Sequence, residues 1–308
     1  MPHRNSRFAT VAQPCRAMWV AWLCGWVALA ALLADCQRPT PADPHYVVGA
    51  PYQSGGTWWY PRESYSLDET GLAAVYPDNR PPLTTNGEIF GQGALTTAHA
   101  TLQLPAVARL TDLETGRSVL VRINDRGTPT PNRLVEVTRH VASLLGMPAG
   151  GVAQVRLTVL TVPSEAAEQR VSGAPTLPIA AAPIGGVVSA SLPPPPGARQ
   201  ESGRAAPALA TPPAPAGNLS DHVAEIVIQG TPRPGRLWVR LDTFQFYQYA
   251  AIERAKLEAL SPHIDQVFDA QGPAFRVMIG PFGSVAAADA AVDRAIRAGL
   301  ADARIVVE

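Results

Sequence analysis

The apolar positions of this chain follow different periods in different stretches. From Gly71 to about Leu160 the spacing is that of short, half-buried strands. In SVLVRIND, Val119, Val121 and Ile123 alternate with Leu120, Arg122 and Asn124. AVARLTDL precedes it across ETGR, which predicts a hairpin turn carrying Gly116. VTRHVASLLG changes to helical spacing, with Thr138 placed as N-cap and Gly146 just past the end. VAQVRLTVL then returns to strand. Several short strands and one helix in this length predict a small β-barrel.

A second ordered pattern begins near Arg236. LWVRLDTF reads as a strand, YAAIERAKLEAL as a helix, IDQVFDA and AFRVMIGPF as strands, SVAAADAAVDRAIRAGL as a helix and ARIVVE as a last strand. The order βαββαβ predicts a ferredoxin-like module over 231–308. Between the two patterns, residues 163–230 are rich in Ala, Pro, Gly and Ser, with PPPPG at 193–197, and read as a disordered linker. Residues 37–70 are rich in Pro, Tyr and Trp without a period and read as an irregular lead-in to a barrel domain at 71–162.

The first 36 residues carry a third pattern. Arg4, Arg7 and Arg16 precede a run from Ala17 to Ala34 with no polar side chain, which reads as a secretory signal. LLADC, ending at Cys36, looks like a lipobox whose cysteine is lipidated, although Asp35 replaces the usual small residue. An uncleaved anchor and simple secretion stay open beside it. All three readings export the remainder, so the expected location is periplasmic, lipid-anchored to a membrane through Cys36.

Composition narrows the chemistry. The three cysteines all lie within the first 36 residues, and the six histidines have no ligand-like spacing, so no metal site and no cofactor are expected. Lys+Arg and Asp+Glu balance at 25 each, and the C-terminal module holds nine of each sign. A βαββαβ module that reads RNA needs a basic strand face with stacking aromatics, so no nucleic-acid partner is expected.

Four polar residues stand out in the barrel region: Glu88, His99, Asp125 and Glu136. Asp125 continues the parity of Val119, Val121 and Ile123, and a carboxylate emerging there at a barrel mouth suits acid–base work. NDRG reads equally well as a turn whose Asp bonds its own backbone. Glu136 is either an acid in a cleft or a carboxylate favourable near a helix N-terminus. His99, taken alone, is more often a structural hydrogen bonder than a catalyst.

DETGLAAVY, TTNGEIF, LTTAHATLQLP, ARLTDLETGRSVLVRINDRG and NRLVEVTRHVASLLGM together resemble, in order, the rare lipoprotein A family. FRVMIGPF and its Ala-rich helix resemble the SPOR domain that often ends such chains. The resemblance implies a mixed β and α+β chain: a six-stranded double-psi β-barrel, a long disordered linker and a ferredoxin-like βαββαβ SPOR domain. It further implies a septal lytic transglycosylase acting on peptide-stripped peptidoglycan strands, with division-site proteins as partners. Asp125 is then the expected acid/base, His99 and Glu88 orient the sugar, and Glu136 assists. Tyr76, Asn86 and Arg126 are expected sugar contacts in the barrel. Phe244, Gln245, Phe275 and Arg276 are expected on the SPOR sheet, although Phe275 also reads as core.

The family pattern is not intact. Val75 and Pro77 replace a Trp and a Gly, Gly91 an Asp, Thr128 a Pro, and Glu136 an Asp. These departures support an alternative expectation, a non-catalytic septal peptidoglycan-binding protein with a degenerate barrel.

Overall fold

The computed structural model describes residues 41–129, 132–148, 151–175, 223–269 and 272–308. The signal segment, Cys36 and the middle of the Pro/Ala-rich stretch lie outside the described residues.

The lead-in is more regular than its composition predicts. Strands β1 (Tyr52–Ser54) and β2 (Thr57–Trp59) form a hairpin, turned at Gly55-Gly56 with both glycines at positive φ.

The barrel uses β3 (Asp68–Val75), β4 (Thr96–His99), β5 (Ala106–Asp112), β6 (Arg117–Asp125) and β7 (Val135–Val137). Helix α1 (Arg139–Leu145) and strand β8 (Val152–Val159) follow. The strand order is β4-β7-β3-β8-β5-β6, and a β4–β6 pairing closes the ring at six strands. The β3–β7 and β4–β6 pairings are parallel and the others antiparallel. The closed ring pairs each strand on both sides, apart from the start of β6, and the alternating apolar row fills the interior. Leu110, Val121, Ile123, Val137 and Leu157 are all completely buried there.

The predicted punctuation is present. The β5–β6 turn has Gly116 at φ 75°, and Asp112 Oδ1 accepts from the amides of Glu114 and Thr115 at 2.9 and 2.8 Å. Thr138 caps α1 by accepting from Val141 N, and Gly146 ends it in the left-handed region.

Order extends into both ends of the expected linker. Helix α2 (Thr161–Glu168) packs on β5, and Ser164 Oγ accepts from Val107 N at 2.9 Å and donates to Val107 O at 3.1 Å. This single hydroxyl satisfies both backbone groups of a buried strand residue, which accounts for a helix where composition predicts none. Strand β9 (Ile228–Gln229) adds to the outer edge of β6.

The C-terminal module has the expected order: β10 (Leu237–Phe244), α3 (Tyr247–Lys256), β11 (His263–Asp269), β12 (Gly272–Phe282), α4 (Val285–Arg297) and β13 (Arg304–Val307). Its antiparallel sheet runs β11-β12-β10-β13, over a core including Val239, Val277, Ile279 and Val292.

Barrel and module meet directly. Thr70 Oγ1 donates to Val307 O at 2.7 Å, and Leu72 of β3 packs into the module's core. Arg133 pairs with Asp289 at 2.8 Å, and Asn132 Nδ2 donates to the same carboxylate at 3.0 Å.

Thr138 also donates from Oγ1 to Ala94 O at 2.6 Å, tying the helix cap to the residues before β4. Thr138→Ala therefore removes two bonds from a fully buried position, and a stability loss of about 1–2 kcal/mol in urea unfolding is expected.

Candidate functional site

Strand β6 ends in a register break. Thr97 pairs with Ile123 and Ala98 with Asp125, so an extra residue is accommodated between them. Residues on either side of that break serve two separate polar clusters.

The first cluster is internal. Arg122 Nε donates to both Glu88 oxygens at 2.9 and 3.2 Å, and its Nη2 donates to Oε1 at 2.7 Å. Asn124 Nδ2 adds a bond to Oε2 at 2.9 Å and Asn86 Nδ2 one to Oε1 at 2.8 Å. Glu88 is 1% exposed and Arg122 2%. Every acceptor direction of this carboxylate is thus engaged within the protein, and Glu88 lines neither cavity described below. Glu88 and Asn86 are thus enclosed within the protein, as is Asp125 at 2% exposure, which also lines neither cavity. Asn86 is completely buried and also accepts from Thr84 Oγ1 at 2.8 Å. Both residues brace the loop that leads into β4.

The second cluster surrounds Asp125 at the end of β6. Asp125 Oδ1 accepts from Thr85 N at 3.0 Å, Thr85 Oγ1 at 2.6 Å and Arg126 N at 2.8 Å, while Oδ2 pairs with Arg80. Arg80 also lies 5.2 Å above the Tyr76 ring. Tyr76 itself packs edge-on against Phe90 at 5.1 Å. Burial, and the Asp125 carboxylate beside the hydroxyl, push the phenol well above its ordinary value.

Glu136 faces Asp125 across β4: Ala98 is the register partner of both, so their backbones stand roughly 10 Å apart, two strand spacings. Burial pushes the Glu136 carboxyl up and the nearby Asp125 adds to it, against the Thr128 amide, which donates to Oε2 at 2.9 Å, and Arg80. Gly127 explains why the turn after Asp125 needs glycine. Its φ is 67°, and a Cβ would stand 2.5 Å from Glu136 Oε2 and 2.8 Å from Ala98 Cβ. Glu136 lines a small recess together with Ala98, Ala100, Arg126 and Arg133.

His99 is a different kind of group. Its Nδ1 accepts from the amides of Thr101 and Leu102, both at 3.2 Å, which assigns the remaining ring proton to Nε2. Burial, assisted by Arg126, Arg304 and Arg62, pushes the imidazole down to about 3. The ring is a neutral donor that lines a larger cavity next to the recess. Arg126 spends its guanidinium on backbone carbonyls, Nη1 on those of His99 at 3.1 Å and of Leu102, and Nη2 on Val48 at 2.7 Å. It fixes the His99 segment, and at most an edge of it faces the recess.

The departures from the family pattern read differently in three dimensions. Gly91 has open space where a Cβ would sit, so its backbone tolerates a larger residue. Val75 leaves β3 without a stacking ring, and Tyr76 stands beside Asp125.

In the C-terminal module, Phe244 and Phe275 are register partners that pack against the core, and Phe275 meets Tyr247 edge-on at 5.6 Å. Arg276 pairs with Glu308 at 3.0 Å. Gln245 follows the end of β10. The more exposed rings are ones the sequence reading passed over: Phe246, Tyr247 and Tyr249 are about half exposed or more, and all fall within the same QFYQY stretch. Arg80 was missed as well, since a lone arginine in PDNRPP carries no motif. Among the described residues no three His, Cys, Asp or Glu come together as metal ligands.

Residues 68–157 match the family described as lytic transglycolase, and the closed six-stranded ring is that family's double-psi barrel. The chain is 34% identical over 134 residues to the endolytic peptidoglycan transglycosylase RlpA of Rickettsia bellii, covering 40% of this chain and 59% of that one. It is 40% identical over 113 residues to the protein of the same name from Campylobacter jejuni, covering 36% and 41%. Over residues 68–157 the chain is thus similar to these relatives in the stretch that carries the motifs. The chain spans about half the length of the curated relatives it matches. The solved RlpA SPOR domain from Pseudomonas aeruginosa matches 23% of this chain and 99% of that domain at 25% identity, with a TM-score of 0.22.

Two outcomes follow from this geometry. Glu88→Gln leaves Arg122 buried without its counter-charge, and urea unfolding should register a loss of about 3–5 kcal/mol. The His99 ring proton resonances should stay constant in NMR titration from about pH 5 to 8, where an ordinary histidine gains a proton.

Proposed function

We propose that this protein is a lytic transglycosylase acting on the β-1,4 bond between N-acetylmuramic acid and N-acetylglucosamine in peptide-stripped peptidoglycan. Support comes chiefly from the carboxylate pair astride Ala98, with Asp125 held by an arginine and three donors and Glu136 pushed towards its protonated form. Two carboxylates with environments this different divide acid and charge-stabilising roles.

In this reading Glu136 gives its proton to the leaving oxygen as the C1–O bond breaks. The sugar's own 6-hydroxyl closes on C1 to form the 1,6-anhydro ring, and its proton passes back to the Glu136 carboxylate. Asp125 stabilises the positive charge that builds on the ring, with Arg80 displaced from Oδ2 as substrate enters. The neutral His99 donates a hydrogen bond without competing for the proton. This exchanges the roles that the resemblance suggests for Asp125 and Glu136. An exported, lipid-anchored chain with a glycan-binding tail is the setting in which such chemistry meets septal cell wall.

The assay is mass spectrometry of peptide-free peptidoglycan digested by the full chain. Anhydro ends are expected from wild type, with a drop of about 100-fold or more for both Glu136→Gln and Asp125→Asn. Since the protonated form of Glu136 is the active one, the rate should fall as pH rises through that raised carboxyl. Hydrolysed reducing ends in place of anhydro ends would sink the mechanism. Glycan binding with no product from wild type would favour the non-catalytic binder.

A further inference from the structure

Arg80 is the inward-turned residue of a loop that otherwise faces solvent. Pro77, Asp78, Asn79, Pro81 and Pro82 are exposed, whereas the Arg80 side chain is only 12% exposed. The three prolines have no N–H to give, and among the described residues no backbone hydrogen bond holds 77–81. The polar ties of this loop to the barrel are the surface pair Asp78–Arg139 and the contacts of Arg80 itself.

The grip of Arg80 is light. Nη2 meets Asp125, the guanidinium lies 5.2 Å above the Tyr76 ring, and the buried Nε finds no acceptor. Arg122, by contrast, holds Glu88 through Nε and Nη2 together. A single-point pair beside an unused donor gives way at less cost than a forked one. Yet while it stands, Oδ2 of Asp125 is taken. A positive charge building on a sugar ring and the guanidinium would compete for that same oxygen.

Glu136 is sensitive to both members of the pair. Burial is the chief influence on its carboxyl and pushes it up; the Thr128 amide and Arg80 pull it down, and Asp125 pushes it up. Tyr76 and, around the recess, Arg126 and Arg133 complete its charged and titratable surroundings. Asp125 keeps its bonds from Thr85 and the Arg126 amide when Arg80 leaves. Withdrawal of the guanidinium therefore leaves the Asp125 charge acting on Glu136 without its counterweight, and Glu136 holds its proton more firmly.

We propose that Arg80 is a positioning residue of the reaction: at rest it caps the Asp125 carboxylate, and an entering glycan withdraws it, turning the Asp125 charge onto Glu136. The acid is thus armed when sugar is in place. This rests on the transglycosylase reading given above.

Carbon-13 NMR titration of the carboxyls in the full chain, without ligand, reads the resting state. Arg80→Gln should raise the Glu136 midpoint by about half a pH unit or more, and Arg80→Lys should stay close to wild type. The pH profiles of anhydro-product formation from soluble peptide-free glycan fragments read the loaded state, because kcat/KM follows the free enzyme and kcat the complex. Arg80→Gln should move the alkaline limb of kcat/KM upward by the same amount and leave the alkaline limb of kcat where wild type has it. An Arg80→Gln protein of unchanged melting temperature with the wild-type midpoint and limbs would overturn the gate. So would a kcat limb displaced along with that of kcat/KM, or an Arg80→Lys midpoint raised as far as that of Arg80→Gln. Product from wild type with unmoved limbs in the variant would remove the gate and keep the transglycosylase. A raised midpoint without product from wild type would leave Arg80 capping Asp125 and remove the reaction together with its arming.

Discussion

The barrel depends on one buried ion pair. Glu88 and Arg122 are both almost fully enclosed, and a charge of either sign in that interior is costly unless its partner is in place. The bidentate geometry and the two asparagine amides supply what the pair gives up in hydration. The pair joins the loop before β4 to the centre of β6, and these two strands make the parallel contact that closes the ring. Asn124, which completes the pair, immediately precedes Asp125. The internal charge and the Asp125 carboxylate are therefore set by adjacent residues of one strand, and a change at Glu88 would be felt at Asp125.

The two carboxylates and the neutral histidine show how local surroundings separate similar groups. Asp125 is surrounded by donors, Glu136 is half-buried with one amide donating to it, and His99 has amides aimed at its acceptor nitrogen. None of these environments is visible in a residue's neighbours along the chain. Each depends on strands brought together from distant positions.

Much of the architecture was legible because its signals are local. The alternation in SVLVRIND, the Asp112–Gly116 turn and the Thr138 and Gly146 caps are short-range features, and each appears where the spacing puts it. The hairpin at 52–59 and helix α2 were not legible, since one rests on two adjacent glycines and the other on Ser164 reaching the backbone of Val107. Among site residues, family motifs pointed to Glu88, Asn86 and Asp125 alike. All three are buried, and only their partners separate them: Glu88 joins Arg122 and Asn86, whereas Asp125 joins Arg80 and Thr85. Arg80 belongs to no motif, and its place follows from tertiary contact alone.

The close approach at Gly127 has a consequence for how this cleft can be reshaped. Positions 98, 127 and 136 share one volume, so a larger side chain at any of them must displace another. The floor beneath the two carboxylates is consequently fixed in size, and altered substrate preference has to be sought in the walls. The loop bearing Arg80 and the hairpin bearing Trp58 are the segments with room to vary.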